Sequence, residues 1–90
     1  MSAFLVVYGN AKDGAALSEY SAKAAPTLAK HGAELVVKGA PKALTGQSPG
    51  VVVIYRFPDK EAVERWYASA EYQSLIPLRD KGLESTFLVC

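Results

Sequence analysis

Two short segments of this chain are apolar on both of their faces, and that feature constrains the fold more than any other. Ala3-Phe-Leu-Val-Val-Tyr8 and Val51-Val-Val-Ile-Tyr-Arg-Phe57 are rich in β-branched and aromatic residues and are too short for helices, so both are predicted strands. Side chains alternate along a strand, so the first presents Phe4, Val6 and Tyr8 to one side and Leu5 and Val7 to the other. The second presents Val51, Val53, Tyr55 and Phe57 against Val52, Ile54 and Arg56. A strand with water on one face should alternate apolar with polar; these do not, and need cover on both faces. Two further predicted strands differ from them. Glu34-Leu-Val-Val-Lys38 puts Glu34 and Lys38 on one face, and Leu83 to Cys90 carries Glu84 and Thr86. The doubly apolar pair therefore belongs in the middle of a sheet and the charged pair at its edges.

Helical segments fill the intervals. Gly9 and Asn10 are expected to end the first strand, and Asp13 to cap a helix carrying Leu17, Tyr20, Ala24, Leu28 and His31 on one face. Pro26 falls inside it and predicts a kink, and Gly32 suits the left-handed residue that ends a helix. Gly39 to Gly50, with Pro41, Gly46 and Pro49, has loop composition. Asp59 caps a second helix with Val63, Trp66 and Tyr67 inward, and Ser69 restarts a helical stretch bearing Tyr72, Leu75, Ile76 and Arg79, which Pro77 disturbs. The order βαββαβ predicts an α+β, ferredoxin-like domain over residues 1–90, with a four-stranded antiparallel sheet in the order 4-1-3-2. Its helices cover one face of the sheet, and a chain of 90 residues has no spare element for the other. A second copy packed sheet to sheet answers that need, so a homodimer is expected. Burying about six to eight side chains there at ~1.5–3 kcal/mol each gives a gross term of roughly 10–20 kcal/mol before association costs.

Composition narrows the function classes. Ten Lys and Arg against nine Asp and Glu imply neither a nucleic acid nor an anionic membrane as partner. One Cys excludes an intrachain disulfide, and one Cys with one His argues against a metal site, a haem or any other bound cofactor held by such ligands. The first eleven residues hold no Lys or Arg and no apolar run approaches 18 residues, which argues against a targeting segment or a membrane span. A cytoplasmic protein is the expectation.

Tyr20, Pro26, His31-Gly32, the stretch Phe57-Pro-Asp-Lys-Glu-Ala-Val-Glu-Arg-Trp-Tyr67, Ser69-Ala-Glu-Tyr-Gln-Ser-Leu75 and Arg79 together resemble domain-of-unknown-function family 1330. The resemblance spans nearly the whole chain, and its most specific part runs from 57 to 79. It implies a dimeric α+β barrel, in which two ferredoxin-like sheets pack face to face. Relatives by fold include cofactor-independent monooxygenases of antibiotic biosynthesis, lactone isomerases, haem-dependent enzymes and ligand-sensing regulatory domains. Many members carry an acidic residue before glycine, with more aromatic or basic residues, in the loop that here is Ala43-Leu-Thr-Gly46, so no ligand contact is carried over from that loop. The resemblance supplies no reaction.

Few side chains have the chemistry of a site. Arg79 can clamp a carboxylate through its planar fork, or simply pair with a neighbouring acid. Tyr20 and Tyr72 can donate to a carbonyl or enolate oxygen, or be core tyrosines with a hydroxyl at the rim. His31 has the ordinary pKa for acid–base work near neutrality, but its place at a helix end also suits capping. Tyr20 and His31 are thus the catalytic candidates, and Tyr20, Trp66, Tyr67, Tyr72 and Arg79 the ligand-binding ones. Trp66 and Tyr67, adjacent on a helix, must face different ways, one onto the sheet and the other to a cleft or the dimer seam. Cys90 is expected at a sheet end, packed at the interface. Three readings follow: a homodimer that binds or transforms a small organic molecule, carboxylate-bearing in one version, between helices and sheet without metal; a non-catalytic binding or regulatory module; and a purely structural dimer.

Overall fold

The computed structural model describes residues 2–90. The chain runs β1 (Ala3–Ala11), α1 (Gly14–Lys30), β2 (Glu34–Gly39), β3 (Val51–Phe57), α2 (Lys60–Ala68), α3 (Ala70–Gln73), α4 (Ile76–Gly82) and β4 (Leu83–Val89). The four strands form one antiparallel sheet in the order β2-β3-β1-β4, so the doubly apolar strands are central as their composition requires. This is the ferredoxin-like α+β arrangement.

Local chemistry sets most boundaries. Asp13 accepts from the Ala16 amide at 3.1 Å and Asp59 from the Ala62 amide at 2.7 Å, each relieving an orphan donor at a helix start. Gly32 ends α1 with φ of 80°. Three expectations need correction. Gly9 and Asn10 do not end β1: Gly9 pairs with Val51 and Ser85, and Asn10 with Glu84. Gly9 marks a close approach, since a Cβ there would lie 1.9 Å from the Glu84 carbonyl oxygen. Pro26 is carried inside α1, which runs without interruption from Gly14 to Lys30. Pro26 and Ala22, whose carbonyl it leaves without an in-helix donor, are both exposed, so water can serve that carbonyl. The stretch after Ser69 is two helices, with the break at Ser74–Leu75 and Pro77 in the first turn of α4, where its missing amide costs nothing. Finally, Glu34 and Lys38 do not share a face. A β-bulge between Leu35 and Val37 places Glu34 opposite Arg56 but Lys38 opposite Val53.

All helices lie on one side of the sheet, in a slab 15 Å thick. Ala3, Leu5, Val7 and Phe57 are buried on that side with Trp66 and Tyr72 above them. α2 lies on β1 and β3, whereas α1 packs mainly against α4. The closeness of that helix pair depends on Gly82, where a Cβ would come within 2.6 Å of the Leu17 backbone nitrogen. The other face of the sheet carries Phe4, Tyr8, Val37 and Leu88, all exposed, around half-buried Val6, Val52 and Ile54. No helix is long and apolar enough to cross a membrane, among the described residues.

Candidate functional site: a cavity between α1 and the sheet

Because α1 leans on α4, it stands away from the β2–β3 side of the sheet and leaves a cavity of about 490 Å³. Its floor is Leu5 and Val7 of β1, Val51, Val53 and Tyr55 of β3, and Phe87 of β4; its roof is Leu17, Ser18, Ser21, Ala24 and Leu28 of α1. Trp66 and Tyr20 also line it, and Lys38 reaches it from the edge strand. A mostly apolar hollow with a few polar groups is the usual form of a small-molecule site.

The polar groups are organised behind Tyr20. Its hydroxyl lies 2.7 Å from that of Tyr72, and Arg79 Nη1 donates to the hydroxyl oxygens of both Tyr72 and Tyr67 at 3.1 Å. Arg79 Nε donates to Asp80 at 3.1 Å, and its guanidinium lies 4.8 Å from the centre of the Phe87 ring. Proton counting gives this network a direction. Arginine only donates, so the Tyr72 oxygen accepts from it. Tyr72 is fully buried, and the one acceptor its own proton reaches, among the described residues, is the Tyr20 oxygen. Tyr20 then holds a proton with no protein acceptor, in the member of the network that lines the cavity.

Electrostatics keeps these phenols protonated. Burial, reinforced by the adjacent Tyr72, pushes Tyr20 well above the ordinary tyrosine pKa. Burial also raises Tyr72, against the hydrogen bond from Arg79 that works the other way, and raises Tyr55. Burial disfavours the charge on Arg79, but its bonds to Tyr67 and Tyr72 outweigh that and strengthen its hold on the proton. The Tyr20 group can therefore donate a hydrogen bond to an oxygen at neutral pH and does not act as a base.

The site residues singled out in the sequence separate into four groups. Tyr20 and Trp66 line the cavity; the indole is buried, held by its Nε1 donating to Thr27 Oγ1 at 3.0 Å and by the Tyr72 ring 4.1 Å away. Tyr72 and Arg79 stand behind Tyr20 and do not reach the cavity wall, so Arg79 is occupied by two tyrosines and an aspartate. Tyr67 is exposed and borders a second, more open hollow with Val63, Leu88 and Val89. His31 is brought to neither: it is the C-cap of α1, and its Nδ1 donates to the Thr27 carbonyl at 2.9 Å. Cys90 is exposed at the sheet end, with its backbone paired to Phe4. Sequence reasoning missed Lys38, Tyr55, Ser18 and Ser21. The alternation of β3 carried the signal for Tyr55, whereas Lys38 depends on the bulge. No three His, Cys, Asp or Glu side chains come together among the described residues, and the cavity lining holds no carboxylate and no imidazole.

A family model for a domain of unknown function, DUF1330, matches residues 2–90. The chain belongs to the DUF1330 family. No curated protein matches it. Among solved structures it is similar to the RPA0582 protein of unknown function from Rhodopseudomonas palustris, with a TM-score of 0.81 and 16% identity over 99% of this chain and 80% of that one. It is also similar to SnoaB, a cofactor-independent oxygenase from Streptomyces nogalater, with a TM-score of 0.68 and 14% identity over 99% and 89% of the two chains. A dimeric protein of unknown function and ferredoxin-like fold from Bacteroides fragilis matches with a TM-score of 0.68 and 10% identity over 99% and 94%. At such identities these likenesses show the fold that the DUF1330 chain shares with them, and a fold hosts many activities.

Proposed function

We propose that this DUF1330 protein is a homodimer that binds a small, largely apolar organic molecule in the cavity under α1, with the Tyr20 hydroxyl donating to a carbonyl, phenol or enolate oxygen of that molecule. The observation that carries the reading is the directed chain from Arg79 through Tyr72 to Tyr20, which leaves a protein-oriented donor without a protein acceptor on a residue that lines the cavity. A purely structural dimer has no need of such a donor. Because the lining has no carboxylate and no imidazole, the chemistry it favours is orientation and polarisation of the ligand.

The helix-free face supports dimerisation. Phe4, Tyr8, Val37 and Leu88 form a contiguous exposed apolar surface of the kind that monomers seldom present. The Bacteroides fragilis neighbour, described as dimeric, is consistent with this. The test of the binding reading uses 2-acetylnaphthalene, an apolar ketone, followed by amide chemical shifts and calorimetry. It should perturb Leu5, Val53 and Ala24, and Tyr20→Phe should weaken it about fivefold, the worth of one hydrogen bond near 1 kcal/mol. Perturbations confined to Phe4, Ile54 and Leu88, or an affinity indifferent to Tyr20→Phe, would refute it.

A further inference from the structure

Lys38 lies on an edge strand that is exposed along its whole length, where a lysine ordinarily serves only to keep the edge solvated. In regular alternation it would share the face of Glu34, opposite Val52. The bulge between Leu35 and Val37 shifts it opposite Val53 instead, whose side chain lines the cavity. Bulges commonly re-aim one side chain, and here the side chain re-aimed is the cation of the cavity lining. The ion pairs of the described residues involve Lys23, Lys30, Arg56, Arg65 and Arg79, so Lys38 is not committed to a protein carboxylate. Ser18 and Ser21 line the same cavity and likewise make no side-chain hydrogen bond to a described residue.

From the bulge and these uncommitted groups, we infer that Lys38 anchors a single anionic group, a carboxylate or its equivalent, on an otherwise apolar ligand of the cavity. The role expected of Arg79 from the sequence thus passes to Lys38, since Arg79 is spent on Tyr67, Tyr72 and Asp80. This deepens the proposed binding function and rests on it. A cation at a partly open rim selects a monoanion over its neutral analogue, while the apolar floor and roof bind the shared body.

The test compares two fluorescent probes that share one skeleton, 8-anilinonaphthalene-1-sulfonate and the uncharged N-phenyl-1-naphthylamine, titrated into the full chain. The wild type should bind the anion about fivefold tighter, the upper range for a solvent-accessible ion pair, and the preference should shrink in high salt. Lys38→Met should bring the two probes to parity without changing the neutral one, and Lys38→Arg should keep the preference. Ser21→Trp, which fills the cavity, should weaken both. Equal wild-type affinities, or an anion preference that survives Lys38→Met while Ser21→Trp removes both probes, would overturn the role of Lys38 and leave the cavity standing. Binding of neither probe, or of both regardless of Ser21→Trp, would overturn the cavity reading and this inference with it.

Discussion

Replacing Tyr72 by Phe removes one oxygen atom from the centre of the hydrogen-bond network and leaves every ring contact in place. The Tyr72 ring is fully buried, 4.1 Å from that of Trp66, and the substitution opens little space. Two hydrogen bonds disappear: the 2.7 Å bond to Tyr20, worth about 1 kcal/mol, and the 3.1 Å bond from Arg79, which as a charged donor is worth roughly 1.5–3 kcal/mol. Arg79 keeps Tyr67 and Asp80, so no charge is orphaned, and the Tyr20 hydroxyl can turn to water in the cavity. The net loss therefore falls toward the lower end, about 2–3 kcal/mol, which in a domain of this size lowers Tm by about 10–20 °C. Urea and thermal unfolding measure it, and the double variant with Tyr20→Phe isolates the coupling, expected at about 1 kcal/mol. A Tyr72→Phe protein within 0.5 kcal/mol of the wild type, or strictly additive single changes, would show that the hydroxyls are not coupled and that Tyr20 is not oriented from behind (roughly the resolution of such cycles).

The two faces of β3 should respond oppositely to charge. Ile54→Asp, on the helix-free face, should leave a folded monomer in sedimentation, whereas Phe57→Asp, fully buried beside Trp66 on the helix-covered face, should unfold the chain, since an unpaired buried carboxylate costs several of the roughly 5–15 kcal/mol available; identical behaviour of the two would contradict the assignment of faces. Burial raises the pKa of Tyr20 above its unfolded value, so the unfolded chain loses its proton first as the solution becomes alkaline. Stability from this group is complete below about pH 10 and falls above it by up to about 1.4 kcal/mol per pH unit, a slope that Tyr20→Phe should reduce in urea titrations.

The fold was largely written in residue patterns. Apolar residues on both faces of two segments placed them at the sheet centre, because each face of a strand must find its own cover, and charge on the other two placed them outside. Asp13, Asp59 and Gly32 set their helix ends locally, for reasons contained within a few residues of chain. The candidate site was only half visible. Tyr20 and Trp66 followed from helical periodicity, but periodicity cannot tell a residue that touches a cavity from one that stands behind it, so Tyr72 and Arg79 were placed one layer too far forward. Lys38 could not have been found at all by alternation. A single unpaired residue in β2 inverts the face of everything after it, and whether a strand bulges depends on how its partner pairs, which is a property of β3 and β1 as much as of β2. What the sequence determined by itself was therefore which segments are strands and helices and which strands are central, since those choices rest on local propensity and alternation. The cavity, its donor and its cation were decided only when α1 settled on α4 and β2 on β3, because contacts between distant segments set both the gap and the register.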